Sequence, residues 1–379
     1  MPITESSVFR LTHRDPSTRA RAGVVTTARG EIRTPVFMPV GTHGFVKTVS
    51  APELEPLGAQ ILLSNAYHLY LRPGTDVLQS AGGLHRFMNW QKPILTDSGG
   101  YQIFSLREAR KITPEGVRFK SHIDGAKHFL SPEDVIRIQS QIGSDIWMPL
   151  DQCIEYPATE EETLAALLTT EDWAARSKKA WLETPGCKSL LFGIVQGGIY
   201  PELRKRSLEG LLGMDFPGYS IGGLSVGEPQ SEMVRILDEL MPMMPEDKPR
   251  YLMGVGYPVD LLLAVERGVD MFDCVVPTRN GRNGTVFYSG GKMLLGNKEF
   301  ENDERPIDEG CACPTCRTHT RAYLRHLFKS RDMLAGRLAS LHNLRFFIEL
   351  LNQMRQAVIE GAFPQFKKDF LSKFEKGAR

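Results

Sequence analysis

The sequence predicts an α/β fold, a (β/α)8 TIM barrel that is followed by a smaller C-terminal subdomain. About eight short apolar runs end in turn residues, and amphipathic segments of helical period lie between several of them. Strands that alternate with helices form right-handed crossovers and a parallel sheet, and eight such strands favour closure into a barrel. A doubly wound open sheet is the structural alternative.

The barrel is predicted over residues 1–300, because a chain of 379 residues has room for one barrel with insertions. Its strands are predicted near residues 35–41, 59–65, 93–97, 145–151, 189–196, 219–223, 250–254 and 269–273. Ser131 before Pro132 predicts one helix start, since serine caps helices and proline suits their first position. Thr159 and Glu162 form a capping box that predicts another.

Composition and charge set limits on the function. Hydrophobic residues make up 41% and charged residues 24% of the chain, as in a globular protein, and the formal net charge is only +1. Any contact with nucleic acid must therefore come from a local basic patch. The sequence has no apolar N-terminal segment and no run of membrane-spanning length, so we expect a cytoplasmic protein without a membrane partner.

Polar side chains and glycines follow the predicted strands. The C-terminal ends of parallel barrel strands meet at one mouth, where active sites are built. Any one of these residues is most simply a strand terminator or a helix cap. Taken together, four of them are better explained by convergence on a ligand: Asp97, Asp151, Gln196 and Asp273.

Three of the six cysteines crowd into one short segment, which favours a metal site over a disulfide framework. These are Cys311, Cys313 and Cys316. Three histidines lie at distances along the chain that suit a fourth ligand, namely His319, His326 and His342. Three thiolates and one imidazole fill a tetrahedral zinc shell, so the zinc is predicted to be structural. We assign residues 301–350 to this zinc-binding subdomain and 351–379 to a helical segment that packs on the barrel.

Four local strings are specific enough to indicate a family. They are Asp97-Ser98-Gly99-Gly100-Tyr101-Gln102, Gly193-Ile194-Val195-Gln196-Gly197-Gly198, Gly222-Gly223-Leu224-Ser225-Val226-Gly227-Glu228 and Asp273-Cys274-Val275-Val276-Pro277-Thr278-Arg279. With the cysteine cluster, they resemble the bacterial type of tRNA-guanine transglycosylase from about residue 35 to about residue 343. Among the three histidines, the family pattern selects His342 as the fourth zinc ligand.

The resemblance implies an enzyme that replaces guanine at wobble position 34 of G-U-N anticodon tRNAs with preQ1, the 7-aminomethyl-7-deazaguanine precursor of queuosine. Retention of the β configuration at C1′ needs two inversions, and hence a carboxylate nucleophile and an acid/base. The family assigns these roles to Asp273, through a covalent aspartyl-RNA intermediate, and to Asp97. The simpler alternatives are a helix cap at Asp97 and an Asp273–Arg279 ion pair.

The resemblance also implies a set of residues that bind the base. Asp151 accepts from N1–H and the exocyclic amine of guanine, while Gln196 and the N–H of Gly223 address O6. Val226 crowds the bulkier queuine and so favours preQ1. The full predicted set is Tyr101, Asp151, Cys153, Gln196, Gly222, Gly223, Leu224, Val226 and Met253. Tyr101 and Met253 are the expected stacking faces, although Met253 is almost equally well explained as a core residue.

Two segments resemble those that contact the wobble region of the tRNA anticodon loop. One comprises Gly254, Val255, Gly256, Tyr257, Pro258, Val259 and Asp260, and the other Thr278, Arg279, Asn280, Gly281 and Arg282. Tyr257 and Val259 depart from the usual lysine or threonine and glutamate of the family. Seven cations between Arg317 and Arg345 offer further phosphate contacts, or else form a solvated helix face with salt bridges. The family also implies a homodimer.

Two other classes of protein remain as alternatives. A retaining glycoside hydrolase would use Asp97 and Asp273 as its carboxylate pair, but predicts tryptophans near the strand ends. Only four tryptophans are present, and Trp173 and Trp181 fall in a helical stretch. A non-catalytic RNA-binding subunit is the other alternative, and the presence of both aspartates disfavours it.

Overall fold

The computed structural model describes residues 8–104 and 110–374. Its strands are β1 (Phe9–Arg14), β2 (Arg21–Thr27), β3 (Gly30–Thr34), β4 (Val36–Pro39), β5 (Leu62–Asn65), β6 (Ile94–Asp97), β7 (Arg110–Thr113), β8 (Gly116–Lys120), β9 (Lys127–Leu130), β10 (Ile146–Trp147), β11 (Leu190–Val195), β12 (Gly218–Ile221), β13 (Arg250–Leu252), β14 (Met271–Cys274), β15 (Thr285–Tyr288) and β16 (Gly291–Leu294). Its α-helices are α1 (Ala51–Leu54), α2 (Ala66–Leu71), α3 (Thr75–Ser80), α4 (Leu84–Met88), α5 (Gly100–Phe104), α6 (Pro132–Ile142), α7 (Glu160–Leu182), α8 (Pro201–Met214), α9 (Gln230–Leu240), α10 (Pro258–Glu266), α11 (Val276–Arg282), α12 (Pro314–Thr318), α13 (Arg321–Lys329), α14 (Met333–Ile359) and α15 (Phe363–Phe374).

Eight parallel strands form the predicted barrel, in the order β4-β14-β13-β12-β11-β10-β6-β5. A parallel bridge between Val40 and Leu63 joins β4 to β5 and brings the two edges of the sheet together. The eight strands coincide with the eight predicted apolar runs, so the predicted fold class is confirmed. Apolar side chains such as Met38, Leu95 and Met271 fill the interior, as expected of a packed barrel core.

One barrel strand is much shorter than predicted. The apolar run over 145–151 pairs with its neighbours only at Ile146 and Trp147. The side-chain amide of Gln139 then replaces the ladder, because Oε1 accepts from Met148 N at 3.0 Å and Nε2 donates to Met148 O at 2.8 Å. The main chain therefore leaves the sheet before it reaches Asp151, which lies at the mouth of the barrel.

The two predicted helix starts are confirmed. The Ser131 hydroxyl accepts from Asp134 N at 3.1 Å at the start of α6. Thr159 and Glu162 form the predicted capping box at the start of α7, with Glu162 Oε2 accepting from Thr159 N at 2.9 Å. These caps fix where the two helices begin after the preceding loops.

Three small antiparallel sheets surround the barrel and were not predicted. β1, β2 and β3 form the first of them, β7, β8 and β9 are inserted between β6 and α6, and β15 pairs with β16 after α11. The insertion comes after α5 in the chain, and its β8–β9 connection contacts Tyr67, which follows β5 at the same end of the barrel. It therefore lies beside the mouth of the barrel.

The long helix α14 connects distant parts of the chain. Phe347 packs against Phe37 of the barrel with ring centroids 5.2 Å apart. Arg355 Nη1 donates to Gly23 O at 2.9 Å and also to Thr34 O. The helix runs on both sides of residue 350, the boundary proposed between the zinc-binding and C-terminal segments. No helix within residues 8–104 and 110–374 has the length and apolarity needed to cross a lipid bilayer.

Candidate active site and metal centre

Two carboxylates stand at the C-terminal ends of barrel strands. Asp97 is the last residue of β6 and pairs in register with Asn65 of β5. Asp273 lies in β14 and pairs in register with Met38 of β4. Both side chains therefore reach the same end of the barrel, and both remain partly exposed there.

Asp97 is surrounded by hydrogen-bond donors. Asn65 Nδ2 donates to Oδ2 at 2.6 Å, Gln102 Nε2 donates to Oδ2 at 3.2 Å, and Ala66 N donates to Oδ1 at 3.2 Å. Burial, together with the nearby charge of Asp273, nevertheless raises the pKa of Asp97 to about 8. At neutral pH the Asp97 carboxyl thus holds a proton that it can give to a leaving group.

Asp273 has different neighbours. The Tyr251 hydroxyl donates to its Oδ1 at 2.6 Å, and Gly254 N donates to the same oxygen at 2.7 Å. Burial raises its pKa, and both hydrogen bonds oppose that effect by stabilising the carboxylate. Oδ2 has no donor among the described residues and can attack an electrophile. Arg279 forms no ion pair with Asp273, so the structural alternative for this aspartate is wrong.

A second polar cluster lies beside the carboxylates. Asp151 accepts from Gln196 Nε2 at 2.7 Å and from Ser98 Oγ at 3.2 Å. All three side chains are buried, and burial raises the pKa of Asp151. One N–H of the Gln196 side-chain amide donates to Asp151, and this bond fixes the direction of the second N–H.

The glycines of this cluster provide space for its side chains. A Cβ on Gly100 would lie 2.6 Å from Asp151 Oδ1, and one on Gly223 would lie 2.4 Å from Gln196 Oε1. Gly223 also has a φ of +63°, which side chains rarely adopt. The backbone can therefore approach a ligand closely at both places.

Arg204 is a site residue that the sequence analysis missed. Its guanidinium is buried and donates to the carbonyls of Val195 at 2.9 Å, Gly198 at 2.8 Å, Gly222 at 2.6 Å and Gly223 at 3.1 Å. It thus joins the loop after β11 to the loop after β12. The sequence pattern does indicate a buried position, since residue 204 lies one and two helical turns before the buried leucines at 208 and 211.

Among the residues predicted around the 7-substituent of the base, Leu224 and Val226 follow β12, and Cys153 follows β10. Leu224 and Cys153 are buried, and Val226 is partly exposed. Burial raises the pKa of the Cys153 thiol to about 12, so this thiol is neutral. Glu228 accepts from Val226 N at 2.9 Å and also from Ser225 N, which fixes the loop.

The two predicted stacking residues differ in exposure. Tyr101 in α5 exposes 55% of its surface and is available to a ligand. Met253 is half-buried and packs against the apolar interior of the barrel. Met253 therefore packs against the core and also remains partly exposed, so its role as a stacking face stays a prediction.

The two predicted wobble-region segments border the mouth on the Asp273 side. Tyr257 is 52% exposed before α10, whereas Asp260 accepts a hydrogen bond from Gln230. In α11, Arg279 is exposed and Thr278 is buried. Only part of each segment therefore presents side chains to an RNA strand.

The predicted metal ligands come together. One ligand atom from each of Cys311, Cys313, Cys316 and His342 lies within 4.8 Å of all the others. His342 Nδ1 is 3.2 Å from Cys316 Sγ, while Nε2 lies 2.6 Å from Phe287 O and can donate to it. This leaves Nδ1 free to bind a metal ion, as is usual for a histidine ligand. The cluster can therefore hold a metal with four protein ligands.

Asn343, the next residue of α14, ties this centre to the barrel. Its Nδ2 donates to Pro277 O and to Thr285 O, each at 3.0 Å, and its Oδ1 accepts from Phe287 N at 3.0 Å. Pro277 belongs to the α11 segment that follows Asp273. The metal centre and the nucleophile candidate are thus linked through one buried amide.

Most of the cations between residues 317 and 345 are used within the chain. Four of the seven make ion pairs with carboxylates of this chain, namely Arg321, Arg325, Arg337 and Arg345. Arg325 and Arg345 also donate to backbone carbonyls. For these four arginines, the alternative of a helix face with salt bridges is confirmed.

Comparison with known proteins agrees with this geometry. Residues 15–376 match the family model described as queuine tRNA-ribosyltransferase. The chain is 56% identical to the queuine tRNA-ribosyltransferase of Thermoanaerobacter sp. (strain X514), over 97% of each chain. It is 53% identical to that of Desulforamulus reducens, over 97% of this chain and 99% of the relative. The resemblance indicated by the motifs is confirmed, and the glycoside hydrolase alternative is wrong. The chain belongs to the queuine tRNA-ribosyltransferase family of transferase enzymes.

Proposed function

We propose that this protein exchanges guanine at wobble position 34 of G-U-N anticodon tRNAs for preQ1, in the cytoplasmic synthesis of queuosine. The observation that carries the proposal is the pair of unlike carboxylates at one mouth. Asp97 is protonated at neutral pH, whereas two donors stabilise the carboxylate of Asp273. Two carboxyl groups in different hydrogen-bonding surroundings can serve as an acid and a nucleophile.

In the first half of the reaction, Asp273 Oδ2 attacks C1′ of nucleotide 34, and the bond from C1′ to N9 of guanine breaks. The Asp97 carboxyl protonates the departing base and becomes a carboxylate. The RNA is left joined to Asp273 as an ester. In the second half, the Asp97 carboxylate removes the proton from N9 of preQ1, and this nitrogen attacks C1′ and expels Asp273. Two inversions restore the original configuration.

Recognition of the base uses the buried polar cluster. Asp151 accepts from the Watson–Crick edge that guanine and preQ1 share, and the second N–H of Gln196 donates to O6 together with Gly223 N. Tyr101 and Met253 cover the faces of the ring. Binding requires no new arrangement of these side chains, because their mutual hydrogen bonds already fix them.

The aminomethyl group of preQ1 is placed beside the loop after β12, where the Leu224 carbonyl accepts from its ammonium group. Val226 and Cys153 bound the space for this substituent. A shallow cleft lined by Gly223, Val226 and Glu228 lies next to this loop. A cyclopentenediol at this position meets the Val226 side chain, so preQ1 is preferred over queuine.

The metal held by the four-ligand cluster is proposed to be zinc with a structural role. Three cysteines and a histidine suit zinc, and four protein ligands leave no position for water or substrate. The hydrogen bonds of the Asn343 side chain connect this centre to α11, so that the folded metal site stabilises the position of α11. The segments 254–260 and 278–282 are proposed to contact the wobble region of the anticodon loop. A homodimer is proposed from the family alone, and sedimentation at two protein concentrations tests it.

The mechanism is tested with variants of the two carboxylates. Asp273→Ala should abolish both guanine exchange and the covalent RNA adduct, because C1′ has no partner after guanine leaves. Asp97→Asn should still form some adduct but slow turnover about 10²- to 10⁴-fold, the usual range for loss of an acid/base. Labelled-guanine incorporation and denaturing gels measure the two effects. The exposed Asp247→Ala is the control. An adduct that survives in Asp273→Ala contradicts the assignment of the nucleophile.

The choice of base is tested with Val226→Gly. Removal of the side chain should raise kcat/KM for queuine by about tenfold or more, in the range expected when a pocket gains a few methyl groups of space. Guanine exchange should change little, because Asp151 and Gln196 read the opposite edge. Steady-state rates with preQ1 and queuine at saturating tRNA make the comparison. If the unaltered protein already uses queuine as well as preQ1, Val226 does not set the preference.

A further inference from the structure

The sheet formed by β7, β8 and β9 presents a strongly basic outer face. In an antiparallel sheet, residues that are directly opposite or two apart along a strand share one face. Arg118 lies opposite Lys111 and Phe129, and Lys120 lies opposite Lys127. All five side chains are exposed. One small face thus carries four cations and an aromatic ring.

The inner face of this sheet accounts for its stability. Val117, Phe119 and Leu130 are buried in the hydrophobic cluster outside the barrel. Phe119 packs against Tyr67 with ring centroids 5.3 Å apart. The sheet is therefore held in place by its apolar side, and its outer face is free to serve a function.

The pattern of charges on the outer face works against folding. Lys111 faces Arg118 and Lys120 faces Lys127 directly across the strands, and like charges in such pairs are destabilising. None of the four cations forms an ion pair or a side-chain hydrogen bond within the part of the chain that the structure describes. Local conflicts of this kind are typical of functional surfaces. The missing partner is an anion from outside the chain.

The sheet borders the mouth of the barrel on the Asp97 side. Tyr67 Oη lies 3.0 Å from His122 Nδ1 in the β8–β9 connection, and the neighbouring Ala66 N donates to Asp97. β6 and β14 are three positions apart around the eight-stranded sheet once β4 meets β5. The segments 254–260 and 278–282 border the Asp273 side. An RNA strand with one nucleotide inserted into the mouth would therefore meet those segments on one side of the mouth and this sheet on the other.

We propose that the outer face of β7, β8 and β9 binds the phosphate backbone of the anticodon stem, outside the wobble loop. This inference rests on the proposed function, because it takes tRNA as the ligand. The cations neutralise phosphates without reading sequence, as in most contacts that position a nucleic acid. Phe129 keeps Arg118 in place, since the guanidinium carbon lies 5.2 Å from the ring centroid.

The test replaces the facing pairs with neutral side chains of similar size, as Lys120→Gln with Lys127→Gln, Lys111→Gln with Arg118→Gln, and all four together. Direct binding of full-length tRNA is measured between 50 and 200 mM salt. Each lost phosphate contact should reduce the slope of log affinity against log salt by about one. If all four contacts are lost, the fourfold variant should bind more than about a hundredfold more weakly at the lower salt concentration, and this difference should shrink as the salt concentration rises.

The matched control is Lys179→Gln with Lys205→Gln, which removes the same charge from exposed positions of α7 and α8. This pair should leave the slope unchanged. A pair variant from the sheet that behaves like the control overturns the proposal. A second RNA, the isolated anticodon loop without its stem, should bind equally to all variants. If the replacements weaken binding of the isolated loop as much as binding of full-length tRNA, the proposal is also overturned, because the contact then lies within the loop.

Failure of the proposed function gives a different result. A protein that binds tRNA with the expected salt dependence but exchanges no guanine would contradict the assigned activity and leave the basic face supported. A protein that exchanges guanine at the wild-type rate and affinity after all four replacements would support the activity and contradict the basic face. The Tm of the variants should be equal to or above that of the unaltered protein, because facing like charges are removed. Weaker RNA binding without a lower Tm shows that the comparison reports RNA binding.

Discussion

Asp97 shows how a single residue opposes the stability of the fold. Asn65, Ala66 and Gln102 each donate to its carboxyl group, yet burial outweighs them and raises its pKa to about 8. The folded protein therefore resists ionisation of a group that the unfolded chain ionises readily. Enzymes commonly retain such unfavourable groups where the chemistry requires them.

We predict that Asp97→Asn stabilises the protein more as pH rises. The folded pKa of Asp97 is about 8 and its reference value is 3.8, so the unfolded state releases this proton first. Stability of the unaltered protein is then lost between about pH 4 and pH 8, and asparagine, which does not ionise, avoids that loss. Thermal unfolding across this range should show a growing difference in Tm.

The exposed Asp247→Asn serves as the control and should show no such trend. The same carboxyl should limit activity at high pH, because the protonated form needed for departure of guanine declines above about pH 8. A Tm difference that stays constant from pH 4 to pH 8 would show that Asp97 ionises normally in the folded protein.

Individual site residues were predictable to different degrees. Asp97, Asp151 and Asp273 could be found because each follows an apolar run at a strand end. Tyr251 could not, because an aromatic residue inside an apolar strand is typical of a core position and its bond to Asp273 depends on tertiary structure. Arg204 could have been found from its place on the apolar side of α8.

At the scale of elements, the buried guanidinium of Arg204 joins two loops that carry the proposed base-binding groups. Four backbone carbonyls accept from it, and no carboxylate pairs with it among the described residues. Burial lowers its pKa to about 10, so it remains charged at neutral pH. The carbonyl of Gly222 belongs to the peptide whose N–H, on Gly223, is proposed to donate to O6. Polarisation of this peptide by the guanidinium strengthens that N–H as a donor.

We predict that Arg204→Gln destabilises the protein by about 3 to 5 kcal/mol, because it leaves several buried carbonyls unsatisfied. Arg204→Lys keeps the charge but not the fork of donors, and its effect should be smaller. Urea unfolding measures stability, and the KM for free guanine should rise in Arg204→Lys as the two loops lose their spacing. The exposed neighbour Arg206→Gln is the control. A KM unchanged in Arg204→Lys would limit this arginine to folding.

The four-ligand cluster is connected to the barrel through α14. We predict one zinc per chain by elemental analysis, and its loss in Cys313→Ser or His342→Ala together with a large drop in Tm, because binding energy of a structural metal is folding energy. Cys187→Ser, outside the cluster, should keep both metal and stability. Freshly purified protein without metal would contradict the prediction.

Asn343→Ala separates the metal from its effect on the active site. The variant should retain zinc but lower kcat, because α11 behind Asp273 loses its hydrogen bond from α14. Metal content and guanine exchange measured on the same sample distinguish the two effects. Full activity in this variant would show that the zinc centre stabilises the chain without positioning the segment after Asp273.

For the whole molecule, the sequence predicted the barrel but not the sheets around it. The eight barrel strands are apolar on both faces, and such runs are visible without any partner. β8 alternates buried Val117 and Phe119 with exposed Arg118 and Lys120, but a strand of five residues is too short for this alternation to stand out. The length of β10 was overestimated, because no local sequence pattern shows that the Gln139 side chain takes the place of a neighbouring strand in hydrogen bonding to Met148.

The position of α14 has a consequence for the timing of protein synthesis. A ribosome makes the N-terminal part first, so Asp97 and Asp273 both exist on the nascent chain before residues 333–359 do. Three residues of that later stretch hold other parts of the chain in place. His342 belongs to the metal-binding cluster, Asn343 binds the α11 segment, and Arg355 binds the sheet formed by β1, β2 and β3. A chain released prematurely before α14 therefore carries both proposed catalytic carboxylates without the helix that orders their surroundings. Under the proposed mechanism, only chains made beyond α14 are equipped to open and reseal a glycosidic bond in RNA.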